Sequence, residues 1–194
     1  MRLSHLPAAR ILGAAAMALA AVIIPAVALG AASPTAGPDV VTGPGALLAP
    51  DAATTPKCTT SGLVVWLDTQ GNGAAGSIFY TLELTNLSSR ACTLSGYPGV
   101  SAVNLAGHEL GSAASRDTSH TPHTVTLASG ATATALLRIV QAGNFPTSAC
   151  HQVTAAGLRV FPPNLTTSKV VPFPFPACSL SGPKYLAVRA LQHG

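Results

Sequence analysis

Charged residues are scarce in this chain, and their scarcity limits what the protein can bind. Asp, Glu, Lys and Arg make up 8% of the 194 residues, whereas about 25% is usual in globular proteins. Aromatic residues are also few, at 5%, but the hydrophobic fraction of 48% is ordinary, which argues against disorder throughout the chain. The formal net charge is +4 and falls to about +2 without Arg2 and Arg10 of the N-terminal segment. No basic run can follow a phosphate backbone, so we expect no nucleic-acid partner.

Motifs that carry catalysis are missing as well. The sequence contains no G-x-S-x-G, the turn that presents a nucleophilic serine in many hydrolases. After residue 57 the carboxylates are Asp68, Glu83, Glu109 and Asp117, and no spacing among them favours the pair that a glycosidase needs. We therefore predict that the protein is not an enzyme and uses no cofactor. The alternative is a secreted hydrolase whose site is assembled from scattered loop residues.

Histidines provide the sharpest metal-like spacing. His120 and His123 lie three residues apart in a predicted loop, and two imidazoles at this spacing can share a metal if another segment supplies a third ligand. Asp117 is the one carboxylate nearby, and no cysteine is close. We predict no metal site, and whether His120 and His123 ever bind a metal stays open at this point.

The first 30 residues have the pattern of a secretory signal peptide. Arg2 and Arg10 form a basic head, residues 11–24 carry no charge, and small residues follow Pro25. Cleavage anywhere within residues 28–32 fits this pattern. The alternative is an uncleaved membrane anchor, which needs about 20 apolar residues and would have to tolerate Pro25. We predict a secreted protein, extracellular or associated with the cell wall, with no membrane span in the mature chain.

Residues 31–57 form a predicted linker. Twenty of its 27 residues are Ala, Pro, Thr, Gly or Ser, and five of them are prolines. Prolines at this density prevent helices and sheet ladders, so we expect an extended, disordered tether.

Residues 58–194 have the pattern of an all-β sandwich. Residues 77–86 alternate strictly between apolar and polar, as in a half-buried antiparallel strand. Residues 63–68 are apolar enough to be buried on both faces, and 71–76 form a predicted loop between the two strands. Further strands are predicted at residues 100–105, 123–127, 132–141, 157–161, 169–173 and 185–191, giving about eight in all. The predicted core consists of Ile78, Tyr80, Leu82, Leu84, Leu137, Ile139, Leu158, Val160, Leu186 and Val188, with Trp66.

Proline occupies every second position of the segment VPFPFP, residues 171–176. The segment must be extended, and as an edge strand it would prevent aggregation, because proline cannot donate to an incoming strand. Alternatively, Phe173 and Phe175, together with Phe161, would form an exposed apolar ligand surface.

Four cysteines in an exported chain imply two disulfides, and three pairings are possible. If residues 63–68 and 77–86 form a hairpin around the glycine-rich loop, Cys58 lies opposite about residue 88, close to Cys92. The same construction on residues 157–161 and 169–173 places Cys150 opposite about residue 181, close to Cys178. We therefore predict Cys58–Cys92 and Cys150–Cys178 as structural bridges.

One stretch resembles a known family. Cys92-Thr-Leu-Ser-Gly-Tyr-Pro-Gly-Val100, followed by Leu158-Arg-Val-Phe-Pro-Pro163, is similar to the actinobacterial exported family called domain of unknown function 4232. The resemblance extends over roughly residues 58–191 and implies an immunoglobulin-like β-sandwich. It implies no activity, because the family has no assigned reaction. From export, linker and fold we predict a secreted, non-catalytic module of the cell envelope or extracellular space that binds a protein or a wall glycan.

Overall fold

The computed structural model describes residues 54–194. The predicted signal peptide, 1–30, and most of the predicted linker, 31–57, lie outside the described residues. Backbone contacts begin at Pro56, whose carbonyl accepts a hydrogen bond of 2.8 Å from the Thr93 amide. Lys57 forms a parallel bridge with Thr93, so the last two residues of the predicted linker contact the β-sandwich.

Twelve strands form three sheets in the described part of the chain. The strands are β1 (Leu63–Ala74), β2 (Ser77–Asn86), β3 (Cys92–Ser95), β4 (Gly99–Val103), β5 (Glu109–Leu110), β6 (Ser115–Asp117), β7 (Thr124–Leu127), β8 (Thr132–Val140), β9 (Gln152–Phe161), β10 (Lys169–Cys178), β11 (Leu186–Arg189) and β12 (Gln192–His193). The larger sheet has the order β1-β2-β8-β11-β6, with β12 also paired to β8. The second has the order β10-β9-β4-β5, and β3 pairs with β7. The helical segments are short: 3₁₀ turns at Thr60–Gly62 and Ala142–Asn144, and α1 at Thr147–Cys150.

The fold is all-β and sandwich-like, as predicted, with mostly antiparallel pairing. The strand pair β6–β11 is parallel. The strand count exceeds the predicted eight because β3, β5, β6 and β12 are only two to four residues long. Segments this short carry too few alternations to produce a recognisable period.

The core lies between the sheets and follows the period-2 pattern. Eight of the predicted core residues are buried: Leu82, Leu84, Leu137, Ile139, Leu158, Val160, Leu186 and Val188. Ile78 and Tyr80 are only half-buried. They lie near the β1–β2 turn, where the space between the sheets opens into a cleft.

The prediction for Trp66 is wrong, because 56% of its surface is exposed. β1 is not buried on both faces. Leu63 and Leu67 are in the core, whereas Val64 and Trp66 lie on the outer face of the sheet. β1 pairs only with β2 and forms one edge of its sheet. Its even-numbered residues from Val64 to Asp68 point to the solvated outer face.

The glycine-rich segment 71–76 is also not a loop as predicted. β1 continues to Ala74, and the reversal is confined to Ala75 and Gly76, with φ of 46° and 74°. Positive φ at both turn residues gives the twist that a tight hairpin needs.

Both predicted disulfides are present. Cys58–Cys92 has a Cα–Cα distance of 4.8 Å, and Cys150–Cys178 has one of 4.5 Å. The hairpin register differs from the prediction: Leu63 faces Asn86, and continuing that ladder would place Cys58 opposite about residue 91 rather than 88. The shift brings Cys58 nearer to Cys92.

Candidate functional site

A cleft of about 410 Å³ lies between the two larger sheets, at the end where the β1–β2 hairpin turns. Strands β2 and β8 form one wall, and β10 forms the other. The lining residues are Ile78, Tyr80, Ile139, Gln141, Ala142, Gly143, Gln152, Phe173, Pro174, Phe175 and Pro176.

Two β-bulges, one in each sheet, shape this cleft. In the β1–β2 pair the register shifts between Asp68 and Asn72, opposite Tyr80. In the β9–β10 pair the shift begins after Pro172 and contains Phe173. A bulge bends its strand and redirects a side chain. Here the bulges bring one aromatic ring from each sheet into contact: the centroids of Tyr80 and Phe173 are 4.9 Å apart, with the rings inclined at 73°.

Gly71 is the residue that lets the first bulge close over Tyr80. A Cβ atom at Gly71 would lie 2.6 Å from Cγ2 of Ile78 and 2.6 Å from the Tyr80 ring. That separation is far inside van der Waals contact, so any other residue would displace the cleft wall. Sequence reasoning missed this role because Gly71 belongs to a segment with the composition of a loop.

The cleft is electrically neutral. None of its lining residues carries a charged side chain, and burial raises the pKa of the Tyr80 hydroxyl. Gln141 and Gln152 are exposed at the rim, where each amide can both donate and accept hydrogen bonds. A charged group would lose hydration here without gaining a partner, so the cleft suits an uncharged ligand with an apolar body.

A known sequence family matches this domain. The sequence profile of Domain of unknown function (DUF4232) matches residues 58–192. The chain belongs to this family. No curated protein and no solved structure matches this chain.

The three phenylalanines of the predicted ligand surface do not form one exposed patch on the DUF4232 domain. Phe173 is half-buried and stacks on Phe175 at 5.5 Å, but Phe175 is only 7% exposed. Phe161 lies at the far end of β9, where it packs over Gly99. The predicted ligand surface therefore does not form as a single exposed patch of all three rings: Phe161 lies apart, and Phe173 and Phe175 line the cleft. Period 2 places Phe173 and Phe175 on one face but cannot show that this face is covered.

The predicted histidine pair is not brought together around a shared centre. Nδ1 of His120 contacts the Ser119 hydroxyl at 3.0 Å, whereas the ring of His123 stacks on that of His193 at 6.4 Å. Within residues 54–194, no group of three His, Cys, Asp or Glu side chains has the geometry to hold a metal.

Asp117, the carboxylate nearest to these histidines in sequence, binds elsewhere. It accepts hydrogen bonds from Ser119 and pairs with Nε of Arg189 at 3.0 Å. The Ser119 hydrogen bonds, with help from Arg189, hold the pKa of Asp117 at about 2.

Two serine–histidine contacts occur in the described part of the chain. One joins Ser119 and His120, and the other joins the Ser179 hydroxyl to Nδ1 of His151 at 2.9 Å. Neither imidazole contacts a carboxylate there, which is the third member that orients the base in a hydrolytic triad. In the same residues, no helix is long and apolar enough to span a membrane.

Proposed function

We propose that the mature chain is an exported, non-catalytic binding module of the cell envelope or extracellular space, whose partner is a protein or a wall glycan. The N-terminal sequence pattern supports export, and so do two disulfides, which persist in oxidising compartments. The resemblance seen in the sequence adds an actinobacterial source and an immunoglobulin-like relationship to this proposal.

The observation that carries the binding role is the neutral aromatic cleft. Its walls come from two different sheets, each distorted by a bulge at the same level. Bulges are enriched next to functional sites, and a concave apolar site with a few polar groups is typical of ligand binding.

The proposed occupant of the cleft is an uncharged, extended segment of a protein partner. The lack of charge in the lining matches a segment of apolar and proline residues, and Phe173 and Tyr80 offer ring faces to such side chains. The amides of Gln141 and Gln152 can bond the partner's backbone carbonyl and N–H groups, as in other grooves that bind extended peptides.

The peptide site is tested by selecting short random peptides displayed on phage against immobilised mature chain. We expect the selected peptides to be uncharged and rich in proline and apolar residues. Phe173→Ala removes the central ring and should weaken their binding about tenfold or more. Val170→Ala is the matched control, because Val170 lies on the same strand, is exposed, and does not line the cleft. Charged selected peptides, or equal binding by both variants, would refute the cleft as the site.

Export is tested separately by N-terminal sequencing and intact mass of the protein from culture supernatant and wall fractions. We expect a chain that starts between residues 29 and 33, after cleavage within the predicted window. A chain that retains Met1 in a membrane fraction would contradict export as a secreted protein.

A further inference from the structure

A second surface, on the opposite side of the larger sheet from the core, has a different chemistry. Trp66 pairs with Glu83 across β1 and β2, Glu83 pairs with Thr134 on β8, and Thr134 pairs with Gln192 on β12. Directly paired residues of antiparallel strands point to the same face. The four side chains therefore form one row across the outer face, about 14 Å long at about 4.8 Å per strand.

The row is open to solvent. Trp66 and Gln192 are exposed, and Glu83 and Thr134 are half-exposed. The one ion pair within residues 54–194 is Arg189–Asp117, so the Glu83 carboxylate is free to accept hydrogen bonds. Outward exposure of Trp66 is the main departure from the sequence-based expectation for this sheet.

The exposed apolar area of this face is too small for a protein interface. A tryptophan side chain offers at most about 250 Å² and Trp66 shows 56% of its surface. Even with Val64 and the half-buried Phe79 and Leu136 on the same face, the exposed apolar area stays below about 400 Å². A stable protein partner covers about 800 Å² on each side, with an apolar centre. The rest of the row consists of hydrogen-bonding groups.

A polar hollow of about 240 Å³ adjoins the row between β2 and β12. Its lining includes Thr81, His120, Thr134, Arg189 and Gln192. Arg189 is held by its ion pair with Asp117, so its guanidinium is fixed before any ligand arrives. The surface thus has an aromatic platform at one end and a cluster of donors and acceptors at the other.

We propose that this outer face binds a neutral oligosaccharide. One face of a pyranose ring carries C–H groups that pack on an indole, while its hydroxyls project sideways as both donors and acceptors. Trp66 supplies the platform, Glu83 accepts from hydroxyls, and Thr134 and Gln192 can do both. Asp68 and Glu83 beside Trp66 disfavour an anionic ligand, and the charge of Arg189 in the hollow is balanced by Asp117. This inference concerns a different surface from the peptide cleft and does not depend on it.

The fluorescence of Trp66 can report sugar binding without an added label, because Trp66 is the only tryptophan of the chain. Mature protein is titrated with three soluble tetrasaccharides, built from β-1,4-linked N-acetylglucosamine, β-1,4-linked glucose and α-1,6-linked mannose. Indole fluorescence and calorimetry are both recorded. We expect saturable binding of at least one sugar, with a shift in Trp66 emission.

Variants separate the outer row from other sites. Trp66→Ala should abolish the calorimetric signal, and Glu83→Gln should weaken binding about tenfold, or ~1.4 kcal/mol. Leu105→Ala is the control for a lost exposed apolar side chain, since Leu105 is 98% exposed and lies away from the row. Urea unfolding of each variant checks that the fold is retained.

Three results would overturn the proposal. They are no binding of any of the three sugars, binding that survives Trp66→Ala, or concentration-dependent dimers that Trp66→Ala dissociates, which would make the face a contact between copies. Sugar binding lost in Phe173→Ala but kept in Trp66→Ala would move the glycan to the cleft. Sugar binding kept in Phe173→Ala, with peptide binding lost, would leave both proposals standing separately.

Discussion

The two long hairpins of the domain are built alike but have different outer edge strands. β1–β2 and β9–β10 each pair strands of ten to twelve residues. Each hairpin contains a bulge, each has cysteines near its open end, and each supplies an edge strand of its sheet. The difference lies in the edges: β10 has Pro172, Pro174 and Pro176, and β1 has no proline.

The prolines block strand addition at the edge formed by β10, whereas the edge formed by β1 has no such block. Alternate residues of a strand direct their N–H groups to the same side, so three prolines two residues apart remove neighbouring donors from the outer edge of β10. β1 retains its donors and carries Val64 and Trp66 exposed. The comparison teaches that β10 is protected against strand addition, whereas β1 has no such protection. Trp66 of β1 belongs instead to the outer row that we propose binds a sugar.

The largest expected effect comes from removing each hairpin's disulfide. Cys58→Ala/Cys92→Ala opens a loop with a separation of 34 residues, and Cys150→Ala/Cys178→Ala one of 28. Chain entropy predicts a loss of about 3.5–4 kcal/mol for either pair and a difference of only a few tenths between them. Urea unfolding of both double variants measures this. A difference above about 1.5 kcal/mol would show that the hairpins are not equivalent and that one bridge holds its hairpin by more than loop closure.

A smaller loss of unfolding free energy is expected from cavities made in the core beneath each hairpin. Leu82→Ala in β2 and Leu158→Ala in β9 each empty a fully buried site, and we expect each to cost about 3 kcal/mol of unfolding free energy. Thr81→Ala and Glu83→Ala, on the outer side of β2, should stay within about 0.5 kcal/mol. Chemical denaturation compares the two sets. Equal losses at inward and outward positions would contradict the register of β2.

Period 2 and cysteine position were enough to predict the sandwich and its bridges. Burial of alternate residues such as Leu82 and Leu84 leaves a clear sequence signal. The bridges were correct although the predicted register was three residues off in β1–β2 and one to two residues off in β9–β10. The strands bring Cys58 and Cys150 to the right end of each hairpin whatever the detailed pairing.

The cleft and the outer row could not be predicted in the same way. Bulges change the register locally. Gly71 and the prolines beside Phe173 are compatible with bulges, but the same residues fit a loop or an edge strand equally well. Tryptophan is a residue type typical of cores, and Trp66 is exposed because it points to the outer face of its sheet. Asn86 shows the converse: it is fully buried, with its amide donating to the carbonyls of Arg90, Leu127 and Ala128, yet its sequence context is that of a surface turn.

Opening the closed edge should cost less stability than the buried Leu→Ala changes, and it should also change the association between copies. Pro172→Thr/Pro176→Thr restores two backbone donors on the outer edge of β10. Because proline also limits the unfolded chain, the cost should be about 1–2 kcal/mol.

The exposed donors should allow strand-to-strand contact between copies, so sedimentation at increasing concentration should show more self-association than in the parent protein. β1 is the same in the double variant and the parent protein, so any increase in self-association comes from β10. Pro122→Thr is the control, since Pro122 is exposed and lies outside every strand. If the double variant associates no more than this control, the prolines do not protect the edge, and β10 resists pairing because its bulge bends it away from an incoming strand.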